Sequence, residues 1–98
     1  MRDAEKLLQL LEEAATLVSG YSSMSVYCGH ESGAEFAAEL LSLRERIARK
    51  DWSALGKLVG IFAPTGAWDD GVGIEGMELA NRIMETLADM DWVRLAKS

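Results

Sequence analysis

SGAEFAAELLSLRERIARK, residues 32–50, sets Phe36, Leu40, Leu43 and Ile47 at steps of four, three and four, with Ala37, Leu41 and Ala48 beside them. That spacing puts the apolar side chains on one side of a helix. The stretch carries its own start signal, since Ser32 stands where an N-cap hydroxyl belongs and Glu35 follows three residues on, the spacing of a capping box. A helix from Gly33 to Lys50 is expected, and its apolar side needs partners.

Those partners are legible on both sides. Upstream, Ala4, Leu8, Leu11, Ala15 and Val18 alternate steps of four and three, predicting a helix from Asp3 to Val18 that Gly20 stops. Downstream, Asp51 reads as the N-cap of a shorter helix in which Trp52, Leu55, Val59 and Phe62 share a face and Pro64 closes the segment. A last helix begins near Gly73 or Ile74 and runs to Met90, with Met77, Ala80, Ile83, Met84, Leu87 and Met90 facing inward and the methionines filling gaps. Residues 91–98 add a final turn through Trp92 and Leu95. Gly56 and Gly60 each cost roughly 1 kcal/mol against alanine in a helix, so close packing against a neighbouring helix is their expected reason.

The expected fold is all-α: a single domain over residues 1–98, built as an antiparallel four-helix bundle with two long loops, 20–32 and 63–72, at one end. The alternative is an α+β fold. Met24, Val26 and Cys28 alternate with Ser25 and Tyr27, and residues 58–62 form a short apolar run, so a small two- or three-stranded sheet is open.

Composition narrows the function classes. Hydrophobic residues make up 49% of the 98, enough for a real core. Cys28 is the single cysteine, so no intramolecular disulfide forms, and a reducing, cytoplasmic setting is expected. Arg2, Asp3, Glu5, Lys6, Glu12 and Glu13 interrupt the early apolar residues, leaving neither a signal peptide nor a membrane helix in view. A net charge of −6 argues against nucleic acid, whose phosphates are held mainly by lysine and arginine, and points to a basic partner protein.

The distribution of charge carries the functional expectation. No lysine or arginine occurs from Glu12 to Leu43 or from Leu58 to Asn81, while those stretches hold Glu12, Glu13, Glu31, Glu35, Glu39, Asp69, Asp70, Glu75 and Glu78. Arg2, Lys6, Arg44, Arg46, Arg49, Lys50, Arg94 and Lys97 fall toward the other end of the expected bundle. The helix dipole favours acids at N-termini by roughly 0.3–1 kcal/mol, which explains the second and fourth helices but not the first, where bases come first and acids last. A solvated face and a docking surface both fit.

Loops displayed together on a rigid scaffold concentrate binding residues. Tyr27, His30, Glu31, Glu35, Trp68, Asp69 and Asp70 are the candidate partner-binding residues, with Tyr21 and Cys28 nearby. Trp68 reads two ways: as an interface anchor beside two acids, or folded over the core while Asp70-Gly71 forms a turn. Cys28-Gly29-His30-Glu31 suggests a nucleophile, but side chains two apart in an extended segment stand roughly 7 Å apart, too far for a hydrogen bond, and no catalytic residue is assigned. His30, Glu31, Asp69, Asp70 and Cys28 offer mixed ligands suited to zinc, yet without paired spacing, so no metal or cofactor is assigned.

The leading expectation is therefore a small acidic binding protein that docks a basic partner, in the manner of an inhibitor or immunity-type protein. The alternative is a small-molecule or metal-binding domain, open to enzymatic activity, with its site between loops 20–32 and 63–72. A homodimer, in which exposed tryptophan and methionine face a second copy, is a third option.

Overall fold

The computed structural model describes residues 2–21, 32–63, 66, 68 and 72–90. Over these residues the protein is all-α, with α1 at Arg2–Ser19, α2 at Gly33–Ala48, α3 at Ala54–Phe62 and α4 at Met77–Asp89. A 3-10 turn, Gly73–Gly76, leads into α4. No strand occurs among the described residues, and residues 58–62, half of the α+β alternative, lie inside α3. The other half, residues 24–28, and the expected final turn at 91–98 lie outside the described residues.

The start of α2 follows the sequence signal. Ser32 is extended (φ −142°, ψ 161°), and its hydroxyl accepts from the Glu35 N–H at 3.2 Å, satisfying one of the helix's orphan donors. Its end is built differently from the expected run to Lys50. Lys50 takes a left-handed φ of 65°, its N–H donates to the Ile47 carbonyl, and the Asp51 N–H donates to the Arg46 carbonyl, each at 2.9 Å. This pair of bonds is a Schellman motif formed on lysine where glycine is usual.

Helix α3 begins three residues after Asp51, a correction to the expected N-cap. Asp51 instead accepts from the Ser53 N–H at 3.3 Å, the Ser53 hydroxyl at 2.5 Å and Arg46 Nε at 3.0 Å. These donors hold its carboxyl below the usual carboxylate range, the Ser53 hydroxyl contributing most and Arg46 next. Ala63 ends the helix in extended backbone (ψ 156°), as the residue before a proline must.

Helices α1 and α2 meet along their lengths, with α1 also against α4, and α3 against α2 and α4. Leu7, Leu11, Val18, Phe36, Leu40, Leu55, Leu58, Ile83 and Leu87 are fully enclosed, each worth about 1.5–3 kcal/mol of burial. On α1 the buried face is wider than the expected stripe. Leu7, Leu10 and Ala14 join Leu11, Ala15 and Val18 inside, while Ala4 and Leu8 are only half-buried. On α4 Met77 is half exposed rather than buried, and Thr86 lies in the core with its hydroxyl on the Arg82 carbonyl at 2.8 Å.

Gly56 and Gly60 contradict their expected role. Among the described residues a Cβ at either position would meet nothing within 4 Å, so no described helix packs closely there. Alanine at each position is accordingly expected to raise stability by about 0.5–1 kcal/mol, the propensity difference between the two residues. Chemical denaturation of the single and double variants checks this, and a loss of stability would mean that α3 has a close neighbour after all.

Candidate functional site

The ends of the two long connections converge on one pole. Tyr21, just past α1, accepts the Gly33 N–H on its carbonyl at 3.1 Å, which ties α1 to the first residue of α2. Its phenol donates to Glu75 Oε2 at 2.5 Å, across 54 positions of sequence, and so ties both helices to the 3-10 turn before α4. Acceptance by Glu75, with lesser help from burial and from its charge, pushes the Tyr21 phenol above its ordinary value of 10.0.

That shift has a sign that can be measured. A phenol whose pKa is raised by folding contributes stability that is complete below its unfolded pKa, about 10, and is lost as pH rises through the folded value. Tyr21→Phe is expected to remove this part of the alkaline stability loss. Melting temperatures recorded across the alkaline range check it, and identical pH profiles for the two proteins would contradict it.

Beneath the pole lies Trp68. Its side chain is 1% exposed, its Nε1–H donates to the Gly76 carbonyl at 3.0 Å, and its ring stands edge-on to Phe36 at 6.0 Å and tilted against Phe62 at 5.0 Å. A Cβ on Gly76 would come within 2.6 Å of the indole, so the chain passes flat over the ring. Of the two readings of Trp68, this geometry is the one folded over the core. As a partner-binding residue Trp68 is corrected: the indole has no surface left to offer a partner, because an aromatic of this size gains more from two ring contacts and a satisfied N–H than from solvent.

Of the other candidates, Glu35 is exposed on the first turn of α2, with no ion pair among the described residues. Tyr27, His30, Glu31, Asp69 and Asp70, together with Cys28, lie outside the described residues. Among the described residues no group of three or more His, Cys, Asp or Glu is gathered closely enough to hold a metal. An open depression of about 570 Å³ runs along α1, its described lining being Gln9, Glu12, Glu13, Thr16 and Leu17.

The charge pattern also needs correction. Arg44, expected among the bases of the far end, donates through Nε to the Leu8 carbonyl at 3.0 Å and meets Glu12 at 3.4 Å. Glu78 pairs with Arg82 at 2.7 Å one turn along α4. Both pairs are largely solvated, so each is worth at most about 1 kcal/mol. They still remove Glu12 and Glu78 from any set of acids lacking counter-charge. At the other end, Arg46 binds Asp51 at 3.0 Å and Ser53 at 2.8 Å, and Arg49 pairs with Glu45 at 3.5 Å.

Sequence reasoning passed over Glu75, Ile74 and Met77 as site residues. Ile74 is 86% exposed and Met77 50%, and they flank Glu75 on the surface of this pole. The expected inward stripe of the last helix left Ile74 out but counted Met77 in, so only part of the signal was in the sequence.

The chain matches no protein-family model, no curated protein and no solved structure. Among the described residues, no helix is long and apolar enough to cross a membrane.

Proposed function

We propose that this chain is a small acidic binding protein that docks a basic partner protein through the pole joined by Tyr21 and Glu75, in the manner of an inhibitor or immunity-type protein of the cytoplasm. The observation that carries the reading is the Tyr21–Glu75 hydrogen bond, because it holds the acidic first turn of α2 and the exposed Ile74-Glu75 segment together at one end of the molecule. Exposed apolar side chains beside carboxylates give a partner both contact area and charge to read. The net charge of −6 steers a basic protein toward this chain and disfavours association with phosphate backbones.

Capture from lysate of the source cell with the tagged full chain, washed at low and at high salt, tests the proposal. A basic protein is expected to be retained at low salt, released at high salt, and recovered poorly by the triple variant Glu13→Gln, Glu35→Gln, Glu75→Gln. Recovery of no salt-sensitive basic protein would sink the reading.

A further inference from the structure

We infer that the outward side of α4, extended by the 3-10 turn before it, is the seam on which an amphipathic basic helix of the partner lies. This rests on the docking reading and adds the chemistry of the docking segment. Ile74, Met77, Asn81, Met84 and Ala88 follow one another at steps of three, four, three and four, which aligns them in one narrow stripe. Ile74 and Met77 are exposed, Asn81 and Ala88 likewise, and Met84 is half-buried.

The stripe runs beside the core face of the helix, which Ala80, Ile83, Thr86 and Leu87 fill and which Met84 joins only in part. An amphipathic helix whose second side is also apolar at its N-terminal end has surface to share with another element. Two exposed large apolar side chains one turn apart are the anchor spacing that a helix laid lengthwise would meet.

The edge of the stripe decides what that element is. Glu85 and Asp89 run along one side, beside Glu78 in its pair with Arg82, and Glu75 stands at its start, whereas Arg82 is the one base between residues 73 and 90. A second copy of this chain laid antiparallel along the stripe would set these carboxylates against their own counterparts, a like-charge juxtaposition that opposes pairing. A helix with leucine-like residues on one face and lysine or arginine beside them satisfies both the stripe and its acidic edge.

The test uses the isotope-labelled full chain and two synthetic leucine–lysine peptides of identical composition, one ordered to be amphipathic as a helix and one scrambled to have no apolar face. The amphipathic peptide is expected to shift amide resonances of residues 74–88 and to bind roughly tenfold more tightly than the scrambled one. Ile74→Ser with Met77→Ser is expected to abolish that advantage while leaving the melting temperature unchanged, since both side chains are exposed. Equal affinity for the two peptides, with shifts centred on Glu13 and Glu35, would overturn the seam and leave charge-driven docking at the pole standing. Binding of neither peptide also overturns the seam, whereas failure of the docking reading itself shows in the capture experiment.

Discussion

Trp68→Ala is expected to cost about 3–5 kcal/mol of folding stability. A domain of this size holds on the order of 5–15 kcal/mol in all, so the variant sits close to unfolding at room temperature. Three losses combine. The indole leaves a cavity between α2 and α3, its edge contact with Phe36 and tilted contact with Phe62 disappear, and the Gly76 carbonyl loses its N–H donor. Trp68→Phe separates these contributions in part, since it keeps a smaller aromatic ring near both phenylalanines and removes the donor together with some of the indole's volume. Its expected cost is about 1–3 kcal/mol, that of a buried polar group left unpaired. Urea denaturation checks both variants. A Trp68→Ala protein within about 0.5 kcal/mol of the parent, the usual result at a surface position, would mean that the ring is solvated.

The second large effect comes from a single methyl group. A Cβ on Gly33 would stand 1.8 Å from the Val18 carbonyl oxygen, 2.6 Å from the Tyr21 carbonyl oxygen and 2.8 Å from Tyr21 Cβ. Two of these three are main-chain oxygens that cannot rotate aside, so Gly33→Ala must lift the start of α2 off the end of α1. The same movement stretches the Gly33–Tyr21 hydrogen bond. Overpacking of this kind costs about 1–3 kcal/mol, and more where the backbone itself is displaced. The contrast with α3 makes the prediction sharp. Helix propensity alone favours alanine over glycine, so Gly33→Ala and Gly56→Ala should shift stability in opposite directions, by close approach in one case and open space in the other. Stabilisation of Gly33→Ala would show that α1 and α2 do not touch as described.

Helix α2 was readable because its central stripe is unambiguous: Phe36, Leu40, Leu43 and Ile47 are all buried, although Leu41 and Ala48 beside them are exposed, and Ser32 caps as its position implies. Helix α1 was readable as a helix but not in its facing. Leu7-Leu8, Leu10-Leu11 and Ala14-Ala15 are adjacent pairs, which offer two parallel stripes at the same steps, and only contact with both α2 and α4 decides that the wider face is inside. Arg44 was misplaced because charge was read along the chain, whereas its partner Glu12 lies 32 positions away on another helix.

The pole shows the same division. That the ends of the two connections meet was the expectation from helix order and loop length. Which side chains fasten that end did not follow, since the Tyr21–Glu75 bond spans 54 positions and has no local signature. Trp68 sat among glycines and acids in a segment that reads as loop, and its burial depends on Phe36 and Phe62 arriving from two other helices. Glu75, Ile74 and Met77 became site residues only once the inward face of α4 was known.

The rate at which the captured partner associates with this chain, measured against ionic strength, tests the docking pole most directly. Steering by an acidic surface predicts an association rate that falls steeply as salt rises, and a low-salt rate about tenfold lower for the Glu13→Gln, Glu35→Gln, Glu75→Gln variant, with dissociation little altered. A rate indifferent to salt and to those three substitutions, but slowed when Arg49 and Lys50 at the opposite end are replaced, would contradict it.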